Sequence, residues 1–277
     1  MLFRSVGSLY GFLGPNGAGK TTTLRVAMGL LHADGGTVRV LDRDPWRDGH
    51  RLRAEVGFLP TDPGLPLRMR GLQALDYFTS LDRRPPTLRR AACDALRLLD
   101  ADLDRPIRAY SRGMRQKVAI VQAVQHDPRL LVLDEPTEGL DPLVQDGLFG
   151  FLRDRRAAGT TVFFSSHILS EVEALCDRVA IIREGRIVDE GRVDDLRGRR
   201  PKRVTLVLSD PTTPVAIAGA TILERSGATV ILDYLGDAHH LIGALSGLPV
   251  ADVRIEEPGL EEVFLSYYYG DDEVGSA

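Results

Sequence analysis

Gly14-Pro15-Asn16-Gly17-Ala18-Gly19-Lys20-Thr21 combines residue types and spacing suited to chemistry. It fits G-x-x-x-x-G-K-[ST], the pattern of a loop that cradles phosphate. Glycines let the backbone wrap an anion with successive N–H groups pointing inward. A helix opening at the end of the loop adds its partial positive charge, up to about 2 kcal/mol for a partly buried anion. Lys20 then supplies a point charge to terminal phosphates and Thr21 a hydroxyl for Mg2+. The plainer alternative is a glycine-rich strand-to-helix turn with no ligand.

Two further groups carry chemistry. The apolar run 130–133 leads straight into Asp134 and Glu135. An apolar central strand ending in two carboxylates puts charge at the carboxyl edge of a sheet, where open α/β sheets bind ligands. Asp134 is expected to hold Mg2+ through water and Glu135 to polarise an attacking water. A second apolar run, 162–164, ends in Ser165-Ser166-His167, which puts His167 within reach of a γ-phosphate. Ser111-Arg112-Gly113-Met114 opens a helical stretch running to Gln125. Ser111 is a good N-cap, Gly113 permits close backbone approach, and the helix start offers a second anion site. The alternative there is a serine that merely caps a helix.

Positioning these groups calls for a mainly parallel sheet with crossover helices. Short β-rich runs at 9–13, 37–41, 55–59, 130–133, 161–164 and 178–182 read as strands, with a hairpin turn at 183–185. Between about 62 and 128 the rhythm breaks into helical stretches at 72–81, 88–99 and 112–125, read as an inserted helical subdomain. An arginine-rich stretch at 197–203, with Gly198 and Pro201, has the composition of a linker. Beyond it, strands at 203–208, 230–234 and 253–255 mix with helices at 238–245 and 260–269, a small α+β domain whose acidic end, 270–277, is expected to be disordered. The division expected is 1–198 and 199–277.

Composition narrows the functions open to the chain. Its 277 residues carry 35 basic and 39 acidic side chains, a net charge of −4, which argues against a nucleic-acid partner. No apolar run approaches the roughly 20 residues that cross a bilayer, and the first residues lack the order of a signal peptide. Cys93 and Cys176 are too few for a disulfide framework or a zinc site and are expected to be buried thiols. The chain reads as cytosolic.

In order and spacing, from about residue 9 to 190, these motifs resemble the ATP-binding subunits of ABC transporters. Gly14–Thr21, with Thr22, is similar to the family's Walker A loop and 130–135 to Walker B; Glu138-Gly139-Leu140-Asp141 resembles the D-loop and His167 the switch histidine. Tyr110-Ser111-Arg112-Gly113-Met114 stands where the LSGGQ signature stands, 23 residues from Ser111 to Asp134. Arg112 and Met114 replace its Gly and Gln, a variant of the export branch, and Arg112 is suited to a charge-assisted contact with phosphate. Thr61 occupies the Q-loop position, where a hydroxyl reaches the Mg2+ shell less far than Gln would.

The resemblance implies a P-loop NTPase core and phosphoryl transfer from ATP to water. It also implies a head-to-tail dimer, homo- or heteromeric, in which Ser111, Arg112, Gly113, Met114 and Asp141 meet ATP held by the opposite subunit. The partner implied is an integral-membrane permease, docked on the helical insert and the proline-rich 60–66 stretch, with the chain peripheral on the cytoplasmic face of the membrane. Residues 257–265, EPGLEEVFL, are similar to the tail of drug-, antibiotic- and lipid-export subunits. Only 19 residues precede Lys20, where family members carry a further strand and an adenine-stacking aromatic, so an in-frame upstream extension is expected. A soluble ABC-type ATPase outside transport and a degenerate regulatory nucleotide binder remain the alternatives.

Overall fold

The computed structural model describes residues 7–82, 84–198 and 201–256. The chain forms two compact units, 1–190 and 191–277. The first is built in chain order from β1 (Leu9–Leu13), α1 (Lys20–Ala27), α2 (Gly49–Arg53), β2 (Val56–Leu59), α3 (Gly71–Asp82), α4 (Arg89–Ala95), α5 (Asp100–Leu103) and α6 (Arg112–Val124). Then follow β3 (Leu130–Asp134), α7 (Pro142–Ala157), β4 (Thr161–Ser166), α8 (Leu169–Leu175), β5 (Arg178–Arg183) and β6 (Arg186–Arg192).

Six strands form one sheet in the order β2-β3-β4-β1-β5-β6. The pairs β2–β3, β3–β4, β4–β1 and β1–β5 are parallel. Every residue of β1, β3 and β4 is buried, the signature of strands covered on both faces. Tyr10, Phe12, Val132 and Phe163 point to one face, where they pack with Leu24 and Met28 of the α1 region. On the other face Phe164 meets Phe149 of α7, and α8 lies against β1 at Gly11. This parallel order brings the carboxyl ends of β1, β2, β3 and β4 to one edge, and the candidate residues sit there.

Between β2 and β3 the chain is helical, as the sequence indicates. The expected 88–99 helix is broken: α4 ends at Ala95 and Arg97 takes a positive φ of 51° before α5. The 37–41 run is not a strand. Val40 makes an isolated bridge to Arg43 around Leu41 and Asp42, whose φ values are 48° and 62°. The run is rich in β-forming residues, but a strand needs a partner, and among the described residues none pairs with 37–39. Both cysteines are free and buried; burial pushes the Cys93 thiol up to about 11 and raises that of Cys176. Neither is poised as a nucleophile.

The second unit comprises α9 (Val193–Gly198), β7 (Lys202–Leu208), β8 (Ala220–Ser226), β9 (Thr229–Tyr234), α10 (Ala238–Ser246) and β10 (Val250–Glu256). Its sheet runs β10-β7-β9-β8, with every described pairing antiparallel. Leu241 and Leu245 of α10 cover Val204, Leu206, Val230, Leu232 and Tyr234. Part of the arginine-rich stretch is therefore structured: α9 reaches Gly198 and β7 begins at Lys202. The expected helix at 260–269, the 257–265 motif and the 270–277 tail lie outside the described residues.

Candidate functional site

The loop after β1 ends at Gly19, whose φ of 103° is left-handed territory that a side chain rarely enters. That turn lets α1 begin at Lys20, and the Thr23 N–H closes its first turn on Gly19 O at 2.9 Å. The Lys20 side chain is 6% exposed and folds back over the loop. Its Nζ donates to Gly14 O at 2.5 Å and Pro15 O at 3.1 Å, and lies 3.1 Å from Glu135 Oε1. The loop, Thr21, Thr22, Thr61 and Glu135 line a cleft of about 200 Å3, with Pro15, Asn16, Gly17 and Gly19 on its walls. Gly14 and Ala18 are buried.

At the end of β3, Asp134 is fully buried and its carboxylate accepts from three hydroxyl donors. Thr21 Oγ1 donates to Oδ2 at 2.8 Å and Thr61 Oγ1 to the same oxygen at 2.6 Å. Ser165 Oγ donates to Oδ1 at 2.5 Å. Register explains the last contact, since Asp134 and Ser165 are paired across β3 and β4. Glu135 follows with φ of 50°, strained for a residue with a Cβ by about 1–3 kcal/mol. That backbone aims its carboxylate into the cleft, where Oε2 lies 2.8 Å from His167 Nδ1. The ion pair to Lys20 leaves Glu135 Oε1 without an aligned hydrogen bond. A buried acceptor left free in this way is open to a further donor.

A second feature lies at the head of α6. Ser111 Oγ accepts the Met114 N–H at 3.2 Å and caps the helix. Arg112 is exposed and pairs with Glu138. A Cβ on Gly113 would sit 2.5 Å from Gly139 O, so this turn and the 138–141 loop touch backbone to backbone. Asp141 caps α7 through the Val144 N–H at 3.0 Å, with Pro142 at the first helical position.

The family description "ABC transporter" matches residues 4–138. Over 282 residues the chain is 33% identical to a daunorubicin resistance ATP-binding protein, DrrA3, of Streptomyces coeruleorubidus, covering 96% of this chain and 88% of that protein. The chain belongs to the ABC transporter ATP-binding family. An uncharacterised ABC transporter ATP-binding protein of Nostoc sp. is 41% identical over 197 residues, 69% of this chain and 58% of that relative's length. A solved structure titled as the ATP binding subunit of an ABC transporter superposes with a TM-score of 0.65 at 28% identity, covering 70% of this chain and 82% of that one. This ATP-binding subunit therefore has the activity of its family, ATP binding and hydrolysis.

Lys20, Thr21, Thr61, Asp134, Glu135 and His167, singled out from sequence, converge at one edge of this subunit's sheet. The residues headed by Ser111 form a separate turn against the 138–141 loop. Two site residues escaped the sequence reading. Ser165 holds Asp134 and also accepts the Glu135 N–H at 3.2 Å through Oγ. Gln116 donates to the Glu135 and Pro136 carbonyls. A serine inside an apolar strand and a glutamine on the inner face of a helix were the signals available. Among the described residues no helix is long and apolar enough to cross a membrane.

The turn contact gives a prediction. Gly113→Ala will force apart two backbones that have no side chain to yield, costing about 1–3 kcal/mol by overpacking. Denaturant unfolding will show the loss, and ATP turnover will fall because the head of α6 shifts.

Proposed function

We propose that this subunit works as half of a nucleotide sandwich and powers export of a drug-, antibiotic- or lipid-like substrate through a separate integral-membrane permease. The convergence of Lys20, Asp134, Glu135 and His167 on the glycine loop carries the catalytic part of this reading. Similarity along 96% of this chain to a daunorubicin resistance ATP-binding protein supports the export part.

In this reading Lys20 exchanges the loop carbonyls for β- and γ-phosphate oxygens, and the N–H groups of Asn16, Gly17, Gly19, Lys20, Thr21 and Thr22 wrap them, on a loop shaped by Gly14, Pro15 and Ala18. Glu135 accepts a proton from the attacking water, while His167, hydrogen-bonded to it, orients the carboxylate and faces the γ-phosphate. The oxygens of Thr21, Thr61 and Asp134 lie within 2.6–3.4 Å of one another. Two hydroxyls and a carboxylate, all hard oxygen donors, fit magnesium. When bound there, Mg2+ supplies positive charge to the phosphate oxygens. Ser111, Arg112, Gly113 and Met114, with Asp141 in the neighbouring loop, meet the nucleotide of the opposite subunit, whether a copy or a paralogue. The region 199–277 serves as an accessory domain, and the subunit sits on the cytoplasmic face of the membrane.

Isolation from native membranes tests this. The subunit should copurify with a multi-span integral protein, and its ATP turnover in that complex should rise several-fold with the transported compound. Recovery with no membrane protein, and turnover indifferent to any permease, would contradict it.

A further inference from the structure

We propose that Gln116 is the positioning residue for Glu135, clamping the backbone of the water-polarising carboxylate from the helix that Ser111 heads. The inference rests on the role just given to Glu135.

Glu135 aims its side chain from a positive φ, a conformation that persists only where the surroundings impose it. Ordinary extended backbone would turn φ from +50° to about −120° and swing the carboxylate away from His167. Ser165 holds one side of the residue, accepting the Glu135 N–H through both its carbonyl and its hydroxyl at 3.2 Å. Gln116 holds the other. Its Nε2 donates to Glu135 O at 3.3 Å and to Pro136 O at 3.0 Å, which uses both amide hydrogens. Glu135 O also accepts the Glu138 N–H at 3.2 Å within the turn, so Pro136 O is the carbonyl that depends most on Gln116. Gln116 is 7% exposed, so water has little access to replace its amide.

The geometry has a functional consequence. Gln116 lies just over one turn into α6, the helix capped by Ser111. A displacement of the helix head is passed through this amide to the residue that polarises water. The signature turn and the hydrolytic carboxylate are thereby one mechanical element.

Gln125, the C-cap of the same helix, is a matched control. It is also buried, its Nε2 donates to Leu75 O at 3.1 Å, its Oε1 accepts Arg89 Nε at 2.9 Å, and its bonds go to the helical insert rather than to Glu135. Steady-state ATP turnover and equilibrium nucleotide binding should be measured on the full chain for Gln116→Met, Gln125→Met and Glu135→Gln, with thermal melts of each. Gln116→Met should lower kcat about tenfold or more, leaving KM and nucleotide affinity near the parent values. Gln125→Met should lose comparable thermal stability while keeping kcat. Should Gln116→Met not fold, Gln116→Glu keeps the shape but, as a buried neutral acid beside two carbonyls, donates one hydrogen where the amide donates two, and should lower kcat in the same direction by less. Parent-like kcat in the Gln116 variants, with Glu135→Gln inactive, would overturn this inference alone. Parent-like turnover in Glu135→Gln would overturn the role of the carboxylate and this inference with it.

Discussion

Glu135→Gln will abolish nearly all ATP turnover, lowering kcat by about two to four orders of magnitude, the range of a lost general base. The carboxamide is close to isosteric and still reaches His167 Nδ1, which the carboxylate meets at 2.8 Å. The change removes the proton acceptor while leaving the glycine loop, the Thr21–Asp134 contact and the strained backbone in place. Nucleotide affinity should therefore be kept or improved, because Lys20 no longer divides its charge with a carboxylate 3.1 Å away. Single-turnover hydrolysis and a fluorescent-nucleotide titration separate the two effects. Turnover near the parent rate would remove Glu135 from the reaction.

The second large effect is expected from Lys20→Ala, and it falls on binding. A charge-assisted contact to phosphate contributes about 1.5–3 kcal/mol, so the Kd for ATP should rise about 10- to 100-fold. The same substitution strips Gly14 O and Pro15 O of a donor and leaves the Glu135 carboxylate without its nearby cation. The apo loop should loosen as well, visible as a lower melting temperature without nucleotide. Equilibrium titration distinguishes this protein from Glu135→Gln: one fails to bind, the other binds and does not turn over.

Much of the site was legible because its parts are local. A glycine loop between a strand and a helix, two acids at the end of an apolar strand and a serine at a helix start each declare themselves within a few residues. Their convergence follows from parallel strands, which bring the ends of β1, β2, β3 and β4 to one edge. Partners set by register were harder to see. Ser165 is adjacent to Asp134 only because β3 and β4 pair in that frame, and Gln116 reaches Glu135 from a helix that precedes the strand. The fold departs from the sequence reading for related reasons. The 37–41 run has the composition of a strand but finds no described partner strand. β8 went unread because it is an edge strand, exposed along nearly its whole length, so no alternation marks it.

The central claim is that ATP is held between two subunits, by the glycine loop of one and the Ser111-headed helix of the other. Sedimentation equilibrium of the purified Glu135→Gln protein, with and without saturating Mg-ATP, tests it most directly. The protein should be a monomer without nucleotide and, with it, a dimer holding two unhydrolysed ATP molecules. A protein that binds Mg-ATP and sediments as a monomer throughout would contradict it.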